Sequence, residues 1–558
     1  MDGFFLWEES GYPGVALSTA ERKAVIVRME WTGKELAVWG SGNIGMQVMN
    51  AGREISPVYF IDNDAQKCGK TLCGRKIIHP SQISDWQGIF VLVALDHYAP
   101  VRKQLMQAGL KEGEDFLWYR EWLFEKKEGE LLEEEERFLQ NVRETERYMG
   151  SKLIFSDFLA FDKGVCAFVN RWKEREPNLV LCSEAGWLSG TAAKKKLEIP
   201  VVELPDLLSH NQYLKKNDAG TGNREKEEYV QSKTYLSEAA LNLRLGYPDM
   251  AEKYEYTVCF CADRVIREII RCWKPSQIIL WNAFYAFHFI IRHVCMEKGV
   301  SVKYMEFGNI PGTIVVEGTG QMGESYPARY PQEFLELPVS EAEYAGAERL
   351  IRDLRIQRLN RNVQPRNDLQ AAVRGKMAEG KPVIFYAGQN DNASGMQPYT
   401  ENTRKFHSPV FTSSDEAAVY LARLCREMGW NFIYKPHPMM AAWCCIGTLP
   451  GNAAVVDQVD INDLIDFSDV VVTVLSTVSY IALIREKPVV MLGYTQLKGK
   501  GCTYEAFREE IIGEQIRNAL ENGAKDLWKR KHHFAVHTAQ MQKYYGNPYR
   551  QGESAELG

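Results

Sequence analysis

Lys435-Pro436-His437-Pro438 closes a run of apolar and aromatic residues, Phe432 to Tyr434, and sets a cation and an imidazole on backbone that cannot pair regularly. The two prolines remove donors and hold the chain extended. The residues before them are the types that a buried strand prefers. The loop therefore lies at the carboxyl end of a strand, where open parallel sheets place their ligands. About 35 residues further on, Ser476-Thr477 follows the apolar strand Val470–Val474 and opens a helix that ends before Pro488. Hydroxyls at a helix start cap it, and the N–H groups there attract phosphate. Lys435 and His437 would supply charge or hydrogen bonds to such a phosphate, and Ser476 and Thr477 would cradle it. Each also has an ordinary structural reading, a satisfied strand end and a simple cap.

Glu306 ends the strand Val302–Met305 and begins a glycine-rich stretch, Glu306–Ser325. A carboxylate at a strand end facing a cleft can act as general base on a hydroxyl, or it can cap its own loop. Gly318, Gly320 and Gly323 suggest close approach of backbone to a sugar or phosphate, or a flexible loop. Near the start, Gly40-Ser-Gly42-Asn-Ile-Gly45 joins a strand, Glu35–Trp39, to a helix, and Asp62 follows the last glycine by 17 positions. That is the pattern of a turn holding a dinucleotide pyrophosphate on a helix start. The same glycines also serve plain strand–helix packing. Asp62-Asn63-Asp64 reads as a metal-binding D-x-D or as a ribose-type acid followed by a turn. His288, on a largely apolar helix, reads as a core histidine.

The lysine-proline-histidine-proline strand end and the later serine/threonine pair resemble the capsular polysaccharide biosynthesis glycosyltransferases, a family that includes capsule Kdo transferases. The donor half is similar to polysialyltransferases and glycerophosphotransferases. The resemblance runs over roughly residues 270–500 and implies the two-domain fold called GT-B. It also implies roles for two further motifs. Gln389-x-Asp391, after the strand Lys381–Ala387, resembles the family's domain opening and is expected to bind donor. Glu306-Phe307-Gly308 keeps the first acid and the glycine of the family's acid-x-glycine motif, with Phe307 in place of a second acid, and is expected to carry the base. The expected activity is transfer of a sugar from a CMP- or UDP-linked donor to a growing glycan or glycolipid. No cofactor and no metal is expected, since no D-x-D or histidine–carboxylate cluster lies in the transferase halves. Transfer of a polyol phosphate from a CDP-alcohol is the alternative chemistry, and a non-catalytic scaffold of capsule assembly the alternative class.

The elements that position these residues alternate between strand and helix along the chain, which predicts α/β domains with parallel sheets. A Rossmann-like domain is expected within 1–120, with residues 1–33 as a helical lead-in. A charged, solvated linker helix is expected over 121–150. The two GT-B halves fall at 151–337 and 381–510, joined by charged helices over 338–380, and terminal helices over 511–558 cross back. Residues 210–234 lack apolar periodicity and are expected to form a mobile loop, while Tyr254–Arg271 reads as a helix. The twelve cysteines contain no C-x-x-C pair, and Cys259 and Cys261 are taken to alternate in a strand, so reduced buried thiols are expected.

A net charge of −6 argues against bulk nucleic-acid binding. MDGFFLWEES has neither the basic region nor the cleavage site of a signal peptide. The longest apolar runs, Ile278–Ile291 and Val470–Ile484, are shorter than the roughly 20 residues of a membrane span. A cytoplasmic protein is expected, peripheral at the inner face of the membrane and in contact with capsule assembly proteins.

Overall fold

The computed structural model describes residues 33–546 except 43, 46–47, 50–55, 96–97, 120–127, 157–162, 184–196, 209–223, 247–252, 311–312, 360–366, 439, 441–443, 445, 447–448 and 450. The expected helix before residue 33 lies outside them. The described residues fall into two compact units, one within 1–281 and 286–301, the other within 282–285 and 302–558.

The first sheet uses β1 (Glu35–Trp39), β2 (Tyr59–Ile61), β3 (Thr71–Leu72), β4 (Arg75–Ile78), β5 (Ile89–Val93) and β6 (Phe116–Trp118), in the order β3-β4-β2-β1-β5-β6. All pairs are parallel except the β3–β4 hairpin. Helix α1 (Tyr98–Gln107) follows β5. The strands β1, β2, β5 and β6 are short and mostly apolar and buried, whereas the β3–β4 hairpin at the edge is largely exposed.

The second sheet comprises β7 (Lys152–Ser156), β8 (Leu179–Ser183), β9 (Val201–Glu203), β10 (Gln277–Trp281), β11 (Val302–Phe307) and β12 (Ile314–Glu317), in the order β12-β11-β10-β7-β8-β9. Around its first-unit strands lie α2 (Glu128–Glu144), α3 (Lys163–Arg175), α4 (Arg224–Gln231), α5 (Thr234–Gly246), α6 (Tyr254–Trp273) and α7 (Ala286–Lys298). Three expectations need correction here. Helix α2 is not a solvated linker: Leu131, Leu139 and Val142 are buried, and the Trp273 indole donates to the Val142 carbonyl at 3.1 Å. Residues 224–231 are helix α4, not loop, anchored by Val230 and by Tyr229, whose hydroxyl donates to the buried Asp263 at 2.6 Å. Cys259 and Cys261 lie on α6, both facing the core. The eleven described cysteines lie outside any disulfide.

The rest of the chain is α8 (Tyr326–Arg329), α9 (Pro331–Leu335), α10 (Glu341–Arg355), α11 (Leu369–Val373), β13 (Val383–Ala387), α12 (Glu401–Phe406), α13 (Ser414–Met428), β14 (Asn431–Lys435), β15 (Ala453–Val455), α14 (Ile461–Phe467), β16 (Val470–Thr473), α15 (Val478–Ile484), β17 (Val489–Met491), β18 (Tyr504–Glu505), α16 (Ile512–Asn522) and α17 (Leu527–Tyr544). The third sheet is all parallel, with the order β15-β14-β13-β16-β17-β18. Side chains alternate between its faces. Phe385, Ile433, Val471 and Met491 pack with Leu350, Leu354, Tyr480 and Phe534 on one side. Tyr386, Phe432, Tyr434 and Val472 pack with Leu421, Ile512 and Ile516 on the other.

Helix starts and stops in this unit follow local chemistry. Ser340 and Glu343 form a reciprocal capping box on α10, and Ser413 caps α13 by accepting from the Glu416 N–H. Gly429, at φ +73°, ends α13 in the left-handed conformation that glycine tolerates. The described residues are therefore α/β, with three mainly parallel sheets among them. Among the described residues, no helix is long and apolar enough to cross a membrane.

Candidate functional site

The third sheet brings the sequence motifs to one edge. Its registers put Lys435, Ala387, Thr473 and Met491 in a single row across four strands. Residues just beyond that row, Gly388–Asp391, Pro436–Pro438 and Val474–Thr477, all emerge at the carboxyl ends. Strand order reverses between β13 and β16, and this switch point is where open α/β sheets leave a crevice.

Gln389 spans that point. Its side-chain amide donates to Asp391 at 3.0 Å, and its oxygen accepts from the Leu475 N–H at 3.5 Å. Asp391 in turn accepts from the Ser414 N–H at 2.9 Å and from the Ser414 hydroxyl at 2.6 Å. It is thus the anion at the positive start of α13, a favourable place for a carboxylate. Burial nevertheless raises its pKa above the usual carboxylate range, because these hydrogen bonds only partly offset desolvation. Both side chains are buried. Their visible work is to tie the ends of β13 and β16 to α13.

Lys435 is also buried. Its ammonium donates to the Asp457 carbonyl at 2.8 Å, and burial lowers its pKa to about 8, against the pull of Asp457 and Asp460. The sequence suggested a cation presented to phosphate; the structure shows one bracing the loop after β15. His437, two residues on, is half-buried, and its carbonyl accepts from the Met440 N–H at 2.8 Å. Ser476 accepts from the Val478 N–H through its hydroxyl at 3.4 Å, whereas Thr477 starts α15 with no side-chain cap.

Glu306 lies within β11 rather than after it. It pairs with Val315 of β12 in an antiparallel hairpin and is half-buried. Opposed pairs alternate faces along such a hairpin, so Tyr304, Glu306, Val315 and Glu317 share one face. Sequence reasoning did not find the side chains that gather beside Glu317. Tyr545 donates its hydroxyl to Glu317 at 2.8 Å and accepts from Gln496 at 3.0 Å, and Gln496 accepts from Asn309 at 2.5 Å. These partners stand some 50 to 230 positions apart in sequence, so no local spacing announces them. The glycine-rich stretch also differs from expectation. A Cβ on Gly320 would lie 2.5 Å from Glu324, and one on Gly323 would lie 1.6 Å from the Phe406 carbonyl oxygen. Backbone does approach closely there, but it approaches the protein itself.

In the first sheet, Gly40 has φ +118°, and a Cβ on it would meet the Ala94 carbonyl at 2.4 Å; a Cβ on Gly45 would meet the Gly40 carbonyl at 2.1 Å. Gly42 has nothing within 4 Å. Asp62 accepts from the Ser41 N–H at 3.1 Å, the Ser41 hydroxyl, the Asp64 N–H at 2.9 Å and the Lys67 ammonium at 3.1 Å. Burial pushes its pKa up, but these bonds outweigh burial and hold it below the usual range. Gly40 and Gly45 thus serve close packing, and the oxygens of Asp62 are taken up by its own turn. His288 is fully buried, as a core histidine should be. Among the described residues, no group of three or more His, Cys, Asp or Glu side chains could hold a metal ion.

Comparison with known proteins gives the following. No curated protein sequence matches the chain. Among solved structures, it is similar to the Thermosulfurimonas dismutans KpsC beta Kdo 2,7 transferase, at 19% identity over 52% of this chain and 93% of that one, with a TM-score of 0.30. It is similar to the beta Kdo 2,4 transferase of the same KpsC at 15% identity, over 48% and 79%, with a TM-score of 0.33. It is also similar to the S. aureus MnaA–UDP structure, at 12% identity over 71% and 95%, with a TM-score of 0.28. The stretch from Ser394 to Lys543 holds the lysine-proline-histidine-proline strand end and the serine/threonine pair, and it is this stretch, residues 394–543, that matches the family model of capsule polysaccharide biosynthesis proteins.

Proposed function

We propose that the protein is a glycosyltransferase of surface-polysaccharide synthesis. It takes a sugar from a CMP- or UDP-linked donor and adds it to a glycan or glycolipid without a metal ion. Its halves, 151–337 and 381–510, form a GT-B pair. The observation that carries this reading is the level row of strand ends in the third sheet, with the family motifs just beyond it at the switch point. His437, Ser476 and Thr477 meet the donor phosphate there. Lys435, Gln389 and Asp391 sit beneath and fix the loops that do so. Glu306 takes the proton of the acceptor hydroxyl as the glycosidic bond forms and the nucleotide leaves with the bonding pair.

A thermal-shift screen of CMP, UDP, CDP-glycerol and CDP-ribitol, with and without EDTA, tests it, because a ligand of the native state alone raises stability by mass action. CMP or UDP should stabilise the protein equally in both conditions. A larger shift with a CDP-alcohol would move the chemistry to polyol-phosphate transfer. Stabilisation lost with EDTA and restored by manganese would refute metal independence and redirect attention to Asp62 and Asp64. No shift with any nucleotide would leave a non-catalytic role in capsule assembly.

A further inference from the structure

We propose that the outer face where the end of α10 meets the start of α17 docks on an anionic phospholipid surface. This deepens the proposed transfer to a glycan or glycolipid, because an acceptor carried on lipid is met at a membrane. The two most exposed large apolar side chains among the described residues stand here, Ile356 at 87% and Trp528 at 74%. They flank one carboxylate: Glu486 takes the Arg355 guanidinium at 2.6 Å and the Lys531 ammonium at 2.6 Å. Ile356 follows Arg355 directly, and Trp528 lies about one helical turn before Lys531. Neither apolar side chain belongs to the core. Leu350, Ile351 and Leu354 of α10 and Phe534 and Ala535 of α17 fill that role. Arg349, Arg352 and Ile356 recur at helical spacing on the opposite, exposed face.

The charge of this face runs against that of the chain. Residues 349–358 and 525–531 hold eight Lys or Arg and two Asp, in a protein of net charge −6. Some of that charge is spent: Arg358 is paired with Asp460 and Asp463, and Arg530 is buried on the Gly523 carbonyl. Arg349, Arg352, Lys525 and Lys529 are exposed and, among the described residues, have no ion-pair partner, while Arg355 and Lys531 share the single charge of Glu486. Asp353 is the exposed acid among them. Free cations around a singly set tryptophan and a singly set isoleucine match the layers of a bilayer interface. Anionic headgroups take the cations, the indole settles at headgroup level, and the isoleucine reaches the acyl boundary. A protein partner needs a contiguous apolar centre depleted of charge, which two side chains set apart among cations do not supply. A nucleic acid would take the cations and stack on Trp528 but has no use for Ile356. The negative charge of the chain as a whole resists other approaches to an anionic surface, so the same cations also orient the protein there.

The test sediments the full-length protein with vesicles of phosphatidylcholine alone and of phosphatidylcholine with phosphatidylglycerol at three to one, in low and high salt. Only the anionic vesicles should carry the protein down, and high salt should release it. Ile356→Ser with Trp528→Ser, and Lys525→Glu with Lys529→Glu, should each weaken vesicle affinity at least tenfold. Met296→Ser, on α7 and 71% exposed at the wild-type residue, should not change it. All these positions are exposed, and an unshifted melting temperature checks the fold. No sedimentation by the wild type, equal sedimentation with both vesicles, or paired variants that bind like the wild type would each overturn the proposal. A DNA or RNA oligonucleotide bound more tightly than the anionic vesicles would overturn it too, and make the face a nucleic-acid site. Vesicle binding with no thermal shift from any nucleotide would leave this face standing and remove the transferase reading. A shift with CMP or UDP but no vesicle binding would do the reverse.

Discussion

His437 and Lys435 stand two residues apart and meet different fates. The histidine is half-buried beyond the strand end, flanked by prolines that fix its direction. His437→Ala should weaken CMP or UDP binding at least tenfold, roughly 1.4 kcal/mol, by calorimetry on folded protein. An unchanged dissociation constant would remove it from the donor site. Lys435 carries a burial cost instead. Its pKa falls from 10.5 to about 8 in the folded chain, so between those values the unfolded state binds more protons. Stability attributable to this group therefore rises with pH across that window and is lowest below it. Lys435→Met should raise the urea midpoint at pH 7 and flatten the rise between pH 8 and 10.5. Some slope will remain, because burial lowers Lys500 to about 8 as well. His537 carries the same sign in a lower pH window. Burial lowers its pKa from 6.5 to about 3, so its neutral form favours the fold above pH 6.5, and that contribution is lost as pH falls toward 3. His537→Gln should flatten the acid side of the stability profile, measured by urea titration at a series of pH values.

At the scale of elements, the β11–β12 hairpin and the turn after it are the places to probe. Glu306→Gln keeps size and hydrogen bonding but cannot take a proton. It should lower turnover by about 10²-fold or more while donor affinity stays within threefold. Normal turnover would make Glu306 structural. Equal losses of binding and turnover would move it to the donor site. Gly323→Ala has no room for its methyl group against the Phe406 carbonyl, and overpacking of that kind costs about 1–3 kcal/mol or more. Its urea midpoint should drop accordingly; an unchanged midpoint would show that the α12 segment yields. Much of this architecture could be read in advance. β13, β14 and β16 are short runs of buried apolar residues closed by proline, glycine or hydroxyl signals, and their types and order followed from those local patterns. α4 could not be read that way: REKEEYVQ is held by one buried valine and by the Tyr229–Asp263 bond across 34 residues. The same limit hid the burial of Lys435, Gln389 and Asp391. Spacing placed them at strand ends, but only the assembled partners, Asp457, Leu475 and Ser414, show which way their polar atoms are spent.

At the scale of the whole molecule, the first and third sheets share one plan: an early strand in the middle, neighbours added to either side, and a reversal of order beside it. In the first the reversal is closed by glycines packed on carbonyls; in the third it carries the motifs matched by the family model. The division into units has its own consequence for anyone who dissects the chain. The second unit takes in Asn282–Tyr285 before the chain returns to the first unit for Ala286–Ser301. Those four residues are not idle. The Asn282 amide donates to the Ala393 carbonyl at 2.8 Å, the Ala283 N–H donates to Gln321 at 2.5 Å, and Phe284 meets His407 edge-on at 4.9 Å. No single cut in the polypeptide separates the units without severing one from part of itself. A fragment starting at residue 302 would lack a four-residue wedge next to the β13 loop. On a ribosome, that wedge would emerge long before the loop it bonds, and would wait about a hundred residues for its partner.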